Sequence, residues 1–194
     1  MLGKAAVAIW CEVAAEVREE FDHWHAQEHM PERLSIPGFL RGSRWVSADE
    51  RSYFILYELE DEGTLTSAAY LERLNNPTAW SRKMMPHHRN MVRGLCRVEA
   101  SSGSALAQTL LTVRSWSATT LDLAALASRK GIVAAHLLRS IGEPPPQTTE
   151  QKLRGGDASP GAVALVAGYN EAAVAASAVA GATVGLYRLA YVLS

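Results

Sequence analysis

The sequence predicts an α+β chain: two ferredoxin-like βαββαβ repeats whose antiparallel sheets pack face to face as an intramolecular α+β barrel. Three observations lead there. Strand-like and helix-like segments alternate in the order β-α-β-β-α-β over residues 4–100, the split βαβ order. After "SSGS" (101–104) the pattern returns, and "GLCRV" (94–98) is echoed by "GLYRL" (185–189) near the end of the second half. A split βαβ sheet is covered by helices on one face only, so the other face must be buried, and a second such sheet in the same chain can bury it. The expected organisation is a first repeat at 1–100 that carries the candidate site, a linker at 101–104, and a second, degenerate repeat at 105–194.

The elements follow in order. "KAAVAIWCEV" (4–13) is short, apolar and bounded by polar residues, as a buried strand is. In 15–36, Val17, Phe21, Trp24, His25, Glu28 and His29 recur at threes and fours, which predicts a helix that Pro37-Gly38 stops. Residues 39–48 and 52–60 form a hairpin, and 64–76 a helix ended by Pro77. The stretch 78–94, around Pro86, is an irregular or helical insertion before a last strand at 95–100. In the second half, strands are expected at 105–116, 131–141, 162–170 and 183–193, and helices at 119–129 and 171–181, the first with Thr119 or Thr120 as N-cap. The composition of 131–141 would also allow helix. Residues 142–161, rich in Pro and Gly, are expected to be a mobile loop.

Composition narrows the function. Hydrophobic residues make up 48% and charged residues 20%, with a formal net charge of −1, so no basic field is present to attract nucleic acid or an anionic membrane. The apolar run at the N-terminus is too short to span a bilayer. Two cysteines, Cys11 and Cys96, without a CxxC, indicate neither a disulfide framework nor a cysteine zinc site. They fall on neighbouring strands of the expected topology and are expected to lie near each other, reduced. A cytoplasmic protein is the simplest reading. There is no Gly-rich phosphate loop and no GxSxG.

Titratable groups concentrate in "FDHWHAQEHMPERLSIPGFLRGSRW" (21–45), which holds three of the six histidines. This stretch resembles the dimeric α+β barrel superfamily, near its EthD-like members. The resemblance rests on Trp24, Glu28, His29 and Pro31 in an aromatic helix with an "EH-x-P" turn, then Pro37-Gly38-Phe39, Arg44 and Trp45. It covers residues 4–100, and the second half matches in topology only. It implies a pocket between sheet and helices. It also implies a range of activities that includes cofactor-free monooxygenases, isomerases, polyketide cyclases and haem enzymes, so the fold does not by itself give the function.

Within that stretch His29 is the first candidate. It titrates near neutrality and can move a proton, though a cation at a helix C-terminus would serve as a cap equally well. His25 precedes it by four residues and can share its face. HxxxH spacing can bind a metal, yet no third fixed ligand is evident, so no metal is assigned. Glu28 can orient His29 or act as a base, or be an exposed helix glutamate. Arg33 and Arg44 can hold a carboxylate or phenolate, or pair with surface acids. Trp10, Trp24, Trp45, Tyr53 and Tyr57 can line a pocket for a flat substrate, or be plain core. His87 and His88 sit in the insertion that would cover the pocket, and His136 stands alone among apolar residues.

The catalytic set is therefore His29, His25, Glu28 and Arg44, with Trp10, Trp24, Trp45, Tyr57 and His87 around the substrate. The expected function is that of an enzyme needing no cofactor. It acts by proton transfer on a small apolar molecule, aromatic or polyketide-like compounds among them, as an isomerase, cyclase or monooxygenase. The alternatives are a non-catalytic binding or accessory protein of the EthD-like kind, and a haem-binding barrel. The expected partner is a small molecule, not nucleic acid or membrane, and the assembly a monomeric fused barrel or its homodimer.

Overall fold

A computed structural model describes residues 1–114, 121–141, 147–155 and 158–194. The strands are β1 (Ala5–Val13), β2 (Phe39–Ser47), β3 (Ser52–Leu59), β4 (His88–Ser102), β5 (Thr109–Arg114), β6 (Ile132–Ser140), β7 (Ala162–Gly168) and β8 (Thr183–Leu193). They form one closed antiparallel barrel in the order β1-β3-β2-β8-β5-β7-β6-β4. This corrects the expected fold class. The chain is not two ferredoxin-like βαββαβ repeats with two sheets packed face to face. Instead β2 pairs with β8, from Gly42↔Leu193 to Ser47↔Tyr187, and β4 pairs with β6, from Cys96↔Ser140 to Ser102↔Ala135. Two sheets packed face to face would leave four edges of unpaired backbone groups; ladder bonds across both seams remove them.

The barrel interior is filled by side chains from all its strands. Ala6, Ala8 and Trp10 of β1 point in with Trp45, Phe54, Leu56, Cys96, Leu110, Ala134, Leu138, Leu165 and Tyr187. Their alternating partners on the same strands, such as Val7, Ile55 and Tyr57, point out. The two interior indoles are satisfied: Trp10 Nε1 donates to Thr112 Oγ1 at 3.1 Å, and Trp45 Nε1 to Ser43 Oγ at 3.0 Å. Trp10 and Trp45 thus point into the barrel interior, and Trp10 also borders an opening that Tyr53, Arg114 and Tyr187 share. Cys96 belongs to this interior, whereas Cys11 faces outward against Phe21 and Met84. The two thiols therefore lie on opposite faces of the sheet rather than together. Burial raises their pKa values, to about 12 for Cys11 and about 11 for Cys96.

Short helices lie outside: α1 (Arg18–Trp24), a π-turn (His25–His29), α2 (Met30–Leu34), α3 (Ala68–Asn75), α4 (Ala79–Met84), α5 (Leu123–Ala127), α6 (Thr149–Arg154) and α7 (Glu171–Ala175). The first three segments run on without a break across the outer face of the barrel. Met30 seats on Gly42, where a Cβ would come within 2.9 Å of Met30 Cγ, so β2 needs a glycine at this crossing. Pro37-Gly38 turns the chain into β2, with Gly38 at φ 92°.

Several expected boundaries move. The stretch 78–94 is helical in its first part, where Thr78 caps α4 by accepting from Ser81 N and a 3₁₀ turn follows at Met85–His87, but β4 begins earlier than expected, at His88, and runs to Ser102. The expected loop 142–161 contains α6, which Thr148 and Gln151 start with a reciprocal capping box. The caps expected at Thr119 or Thr120 lie outside the described residues, and Asp122 caps α5 by accepting from Ala125 N. No helix among the described residues is long and apolar enough to cross a membrane.

Two measurements check this architecture. Phe54 is fully buried, 4.9 Å from the Trp10 ring and 6.0 Å from that of Tyr187. Phe54→Ala should lower unfolding free energy by about 3–5 kcal/mol in urea titration. A fragment of residues 1–103 would expose the β2 and β4 edges, and should dimerise or aggregate in light scattering; a stable monomer would contradict barrel closure.

Candidate functional site

The outer face of β1, β3 and β4 meets the helices around a small enclosed cavity. Its floor is Val7, Ile9, Ile55 and Tyr57, and His25, His29 and Arg33 form one wall. Tyr70 and Leu74 of α3, Met85 and His88 after α4, and Met91 and Arg93 of β4 form another. Glu150 and Arg154 of α6 close it. The space is about 30 Å³, enough for about two waters, so the side chains nearly fill it.

Local sequence explains why three polar residues share one wall. His25, His29 and Arg33 are spaced by four, and the π-turn carries the helix between them, with Met30 N–H bonding His25 O five residues back. The widened turn lies just ahead of Pro31. In an unbroken α-helix the proline ring would collide with the Gln27 carbonyl and leave it without a donor.

The two histidines are buried and poorly provided with partners. His25 Nε2 lies 3.4 Å from Tyr57 Oη. The Nδ1 atoms of His25 and of His29 have no hydrogen-bond partner among the described residues. His29 stacks on Trp24 with ring centroids 4.5 Å apart. Burial pushes both imidazoles well below their usual pKa; Arg44 and His88 add to this for His25, and Arg33 and His25 for His29. Both are therefore neutral at pH 7. His29 is not the charged cap that its place near a helix end allowed. Burial also raises the Tyr57 pKa, keeping it a phenol.

Charge in the cavity comes from elsewhere. Arg33 Nη2 donates to the buried Glu150 carboxylate, and Nη1 to Glu32 at 3.3 Å. Burial works against the Arg33 charge, but the charge and hydrogen bond of Glu150 more than offset it and hold its pKa above the usual value. Arg154 lies 3.8 Å from Glu150, and Arg93 Nη2 donates to Tyr70 Oη at 2.6 Å. The arrangement can accept a proton at a neutral imidazole and hold an anion at a guanidinium. Among the described residues, no group of three or more His, Cys, Asp and Glu side chains is gathered as a metal ion requires.

Of the expected site residues, the cavity brings together His25, His29 and Tyr57. Trp24 stands behind His29 rather than on the wall. Glu28 is turned away and accepts hydrogen bonds from Trp24 Nε1, Thr78 Oγ1 and Ser81 Oγ at 3.2, 2.6 and 3.3 Å, tying α1 to α4. Arg44 does not line the cavity either; its Nη1 donates to Asp22 O at 3.0 Å and its guanidinium lies over Tyr191. His87 is partly exposed, and its neighbour His88, the first residue of β4, lines the cavity instead. The singled-out set lacked Tyr70, Arg93, Glu150 and Arg154. Arg33 was legible from its four-residue step beyond His29. Glu150 had no local signal.

No family model and no curated protein matches the chain. Solved structures do. The whole chain aligns with 94% of an anthrone oxidase-like protein, at TM-score 0.64 and 10% identity. A candidate monooxygenase from Fusobacterium nucleatum subsp. nucleatum aligns over 99% of this chain and 95% of its own, at TM-score 0.55 and 9% identity. Another from Lactobacillus acidophilus aligns over 98% and 96%, at TM-score 0.54 and 12% identity. Identities this low establish a shared fold. Nothing in them points to the EthD-like members that residues 21–45 resemble.

The neutral histidines have a consequence for stability. In the unfolded chain they take up protons near pH 6.5; in the folded chain they do so only far lower. Their contribution is therefore complete above that pH and is lost as pH falls. Unfolding free energy should drop between pH 7.5 and 5.5, with a limiting slope of about 1.4 kcal/mol per pH unit for each histidine. Glu32 and Asp22, raised by burial, act in the opposite sense at lower pH. The comparison with His25→Gln/His29→Gln isolates the histidines: the double variant should show a flatter profile, and an unchanged slope would contradict the assignment.

Proposed function

We propose that the protein is an enzyme that uses its own side chains, without a cofactor, to move a proton on a small, largely apolar molecule such as an aromatic or polyketide-like ketone. The observation that carries this reading is the pair of buried neutral imidazoles, each with one unpartnered nitrogen, at a cavity whose apolar and aromatic floor faces the guanidinium of Arg33. A buried polar atom left without a partner lowers stability by roughly 1–3 kcal/mol, so two in one cavity mark a place that water or a ligand completes.

In this reading His29 accepts a proton from an acidic C–H or O–H of the substrate. Tyr57 and Arg33 steady the negative charge that develops. A base with a strongly lowered pKa is weak in the empty site. Negative charge arriving beside Arg33 would offset the guanidinium and raise the His29 pKa when it is needed. The fold shared with an anthrone oxidase-like protein and with candidate monooxygenases supports substrates of this size and chemistry. Isomerisation, cyclisation and oxygenation of an activated substrate all begin with such a step. We propose that residues 1–100 supply this chemistry and that the second part, 105–194, covers it.

The low basicity of both histidines also favours a second reading, a binding protein that holds the same ligand without chemistry. Anthrone, whose methylene C–H is acidic, separates the two. In D₂O the protein should speed exchange of that proton, followed by NMR. His29→Ala should lower the rate by about 10²-fold or more while changing anthrone affinity only a few-fold. Equal exchange rates with and without His29 would leave the binding reading.

A further inference from the structure

Glu150 reaches the cavity from a segment 117 residues away from its partner Arg33. Both side chains are almost fully buried, at 4% and 2% exposure. A buried ion pair is a weak device for stability, because desolvation offsets most of the attraction. Two guanidiniums of the lining, Arg33 and Arg154, share the Glu150 carboxylate, Arg33 also reaches Glu32 at 3.3 Å and Arg93 donates to Tyr70, while His25 and His29 are neutral. The unpartnered Nδ1 atoms of His25 and His29 belong to the same cavity. Glu150 sits on α6, a two-turn cover whose further ties to the site include Thr149 N donating to Asn75 Oδ1 at 3.2 Å. With α6 in place the cavity is about 30 Å³, too small for any aromatic ring.

We propose that the natural ligand carries a carboxylate that binds Arg33 in place of Glu150, so that Glu150 is an internal stand-in for the ligand's acid group and α6 moves aside as the ligand enters. This rests on the reading of the same cavity as a ligand site, and it adds the ligand's charge. The planar guanidinium of Arg33 suits a carboxylate in two-point contact. The aromatic or polyketide-like body of the ligand would then lie over Ile55 and Tyr57, within reach of His29.

Calorimetric titration with 2-naphthoate and its neutral isostere 2-naphthamide tests this on three proteins: wild type, Glu150→Gln, and Arg33→Gln/Glu150→Gln. Glu150→Gln keeps the shape of the stand-in and removes its charge. It should bind naphthoate about tenfold or more tighter than wild type, with naphthamide affinity nearly unchanged. Its thermal midpoint, lowered because Arg33 keeps Glu32 but loses the buried Glu150 carboxylate, should recover with naphthoate and not with naphthamide. The double variant, which removes both the guanidinium of Arg33 and the stand-in carboxylate, should lose the preference for naphthoate. Equal binding of both probes by Glu150→Gln would overturn the carboxylate proposal and leave the apolar cavity standing. A preference for naphthoate that survives in the double variant would overturn the role of Arg33. If neither probe binds any of the three proteins, the cavity is not a ligand site and the proposed function fails with the inference.

Discussion

Closure of the barrel is the constraint on which the rest depends. Once β2 is bonded to β8 and β4 to β6, every strand has an inner face that must be filled and an outer face that must be covered. The inner face is met by apolar residues with two satisfied indoles. The outer face is covered unevenly. β1 and β3 lie under the helices from Arg18 to Asn75, while Val184 of β8 remains exposed. The cavity forms under the helices, where polar groups can be held away from water by apolar neighbours.

That placement explains the electrostatics. Desolvation keeps His25 and His29 neutral, and the same desolvation works against the Arg33 charge, which Glu150 offsets. The wall of the cavity is thus a set of groups that each depend on the others' charge state. A ligand entering with its own charge resets several of them at once.

The sequence shows much of the local structure and part of the site. Strand parity follows from alternation, and the cluster at 21–45 follows from a four-residue step, so His25, His29 and Arg33 were readable together. The same parity, taken one step further, places Trp10 with Ala6 and Ala8 on the inward side, away from the cavity of His25 and His29. Other features resist reading because they depend on partners far along the chain. Glu28 turns to Thr78 and Ser81, and Arg44 to Asp22, and neither choice is written in its neighbours. His87 and His88 differ only in which of them starts β4. The closed barrel depends on the two seam ladders, and two sheets with the same strands could have packed without them.

The separation between Arg33 and Glu150 bears on when the site comes into being. Contacts between residues so distant form late, after loop closure has been achieved by the elements between them. On the ribosome the whole first half emerges before residue 150 is made. During that interval Arg33 and the two histidines are solvated and the β2 and β4 edges are open. The nascent chain therefore passes through a stage with no sealed chamber, and the groups of the cavity come together only once α6 has followed.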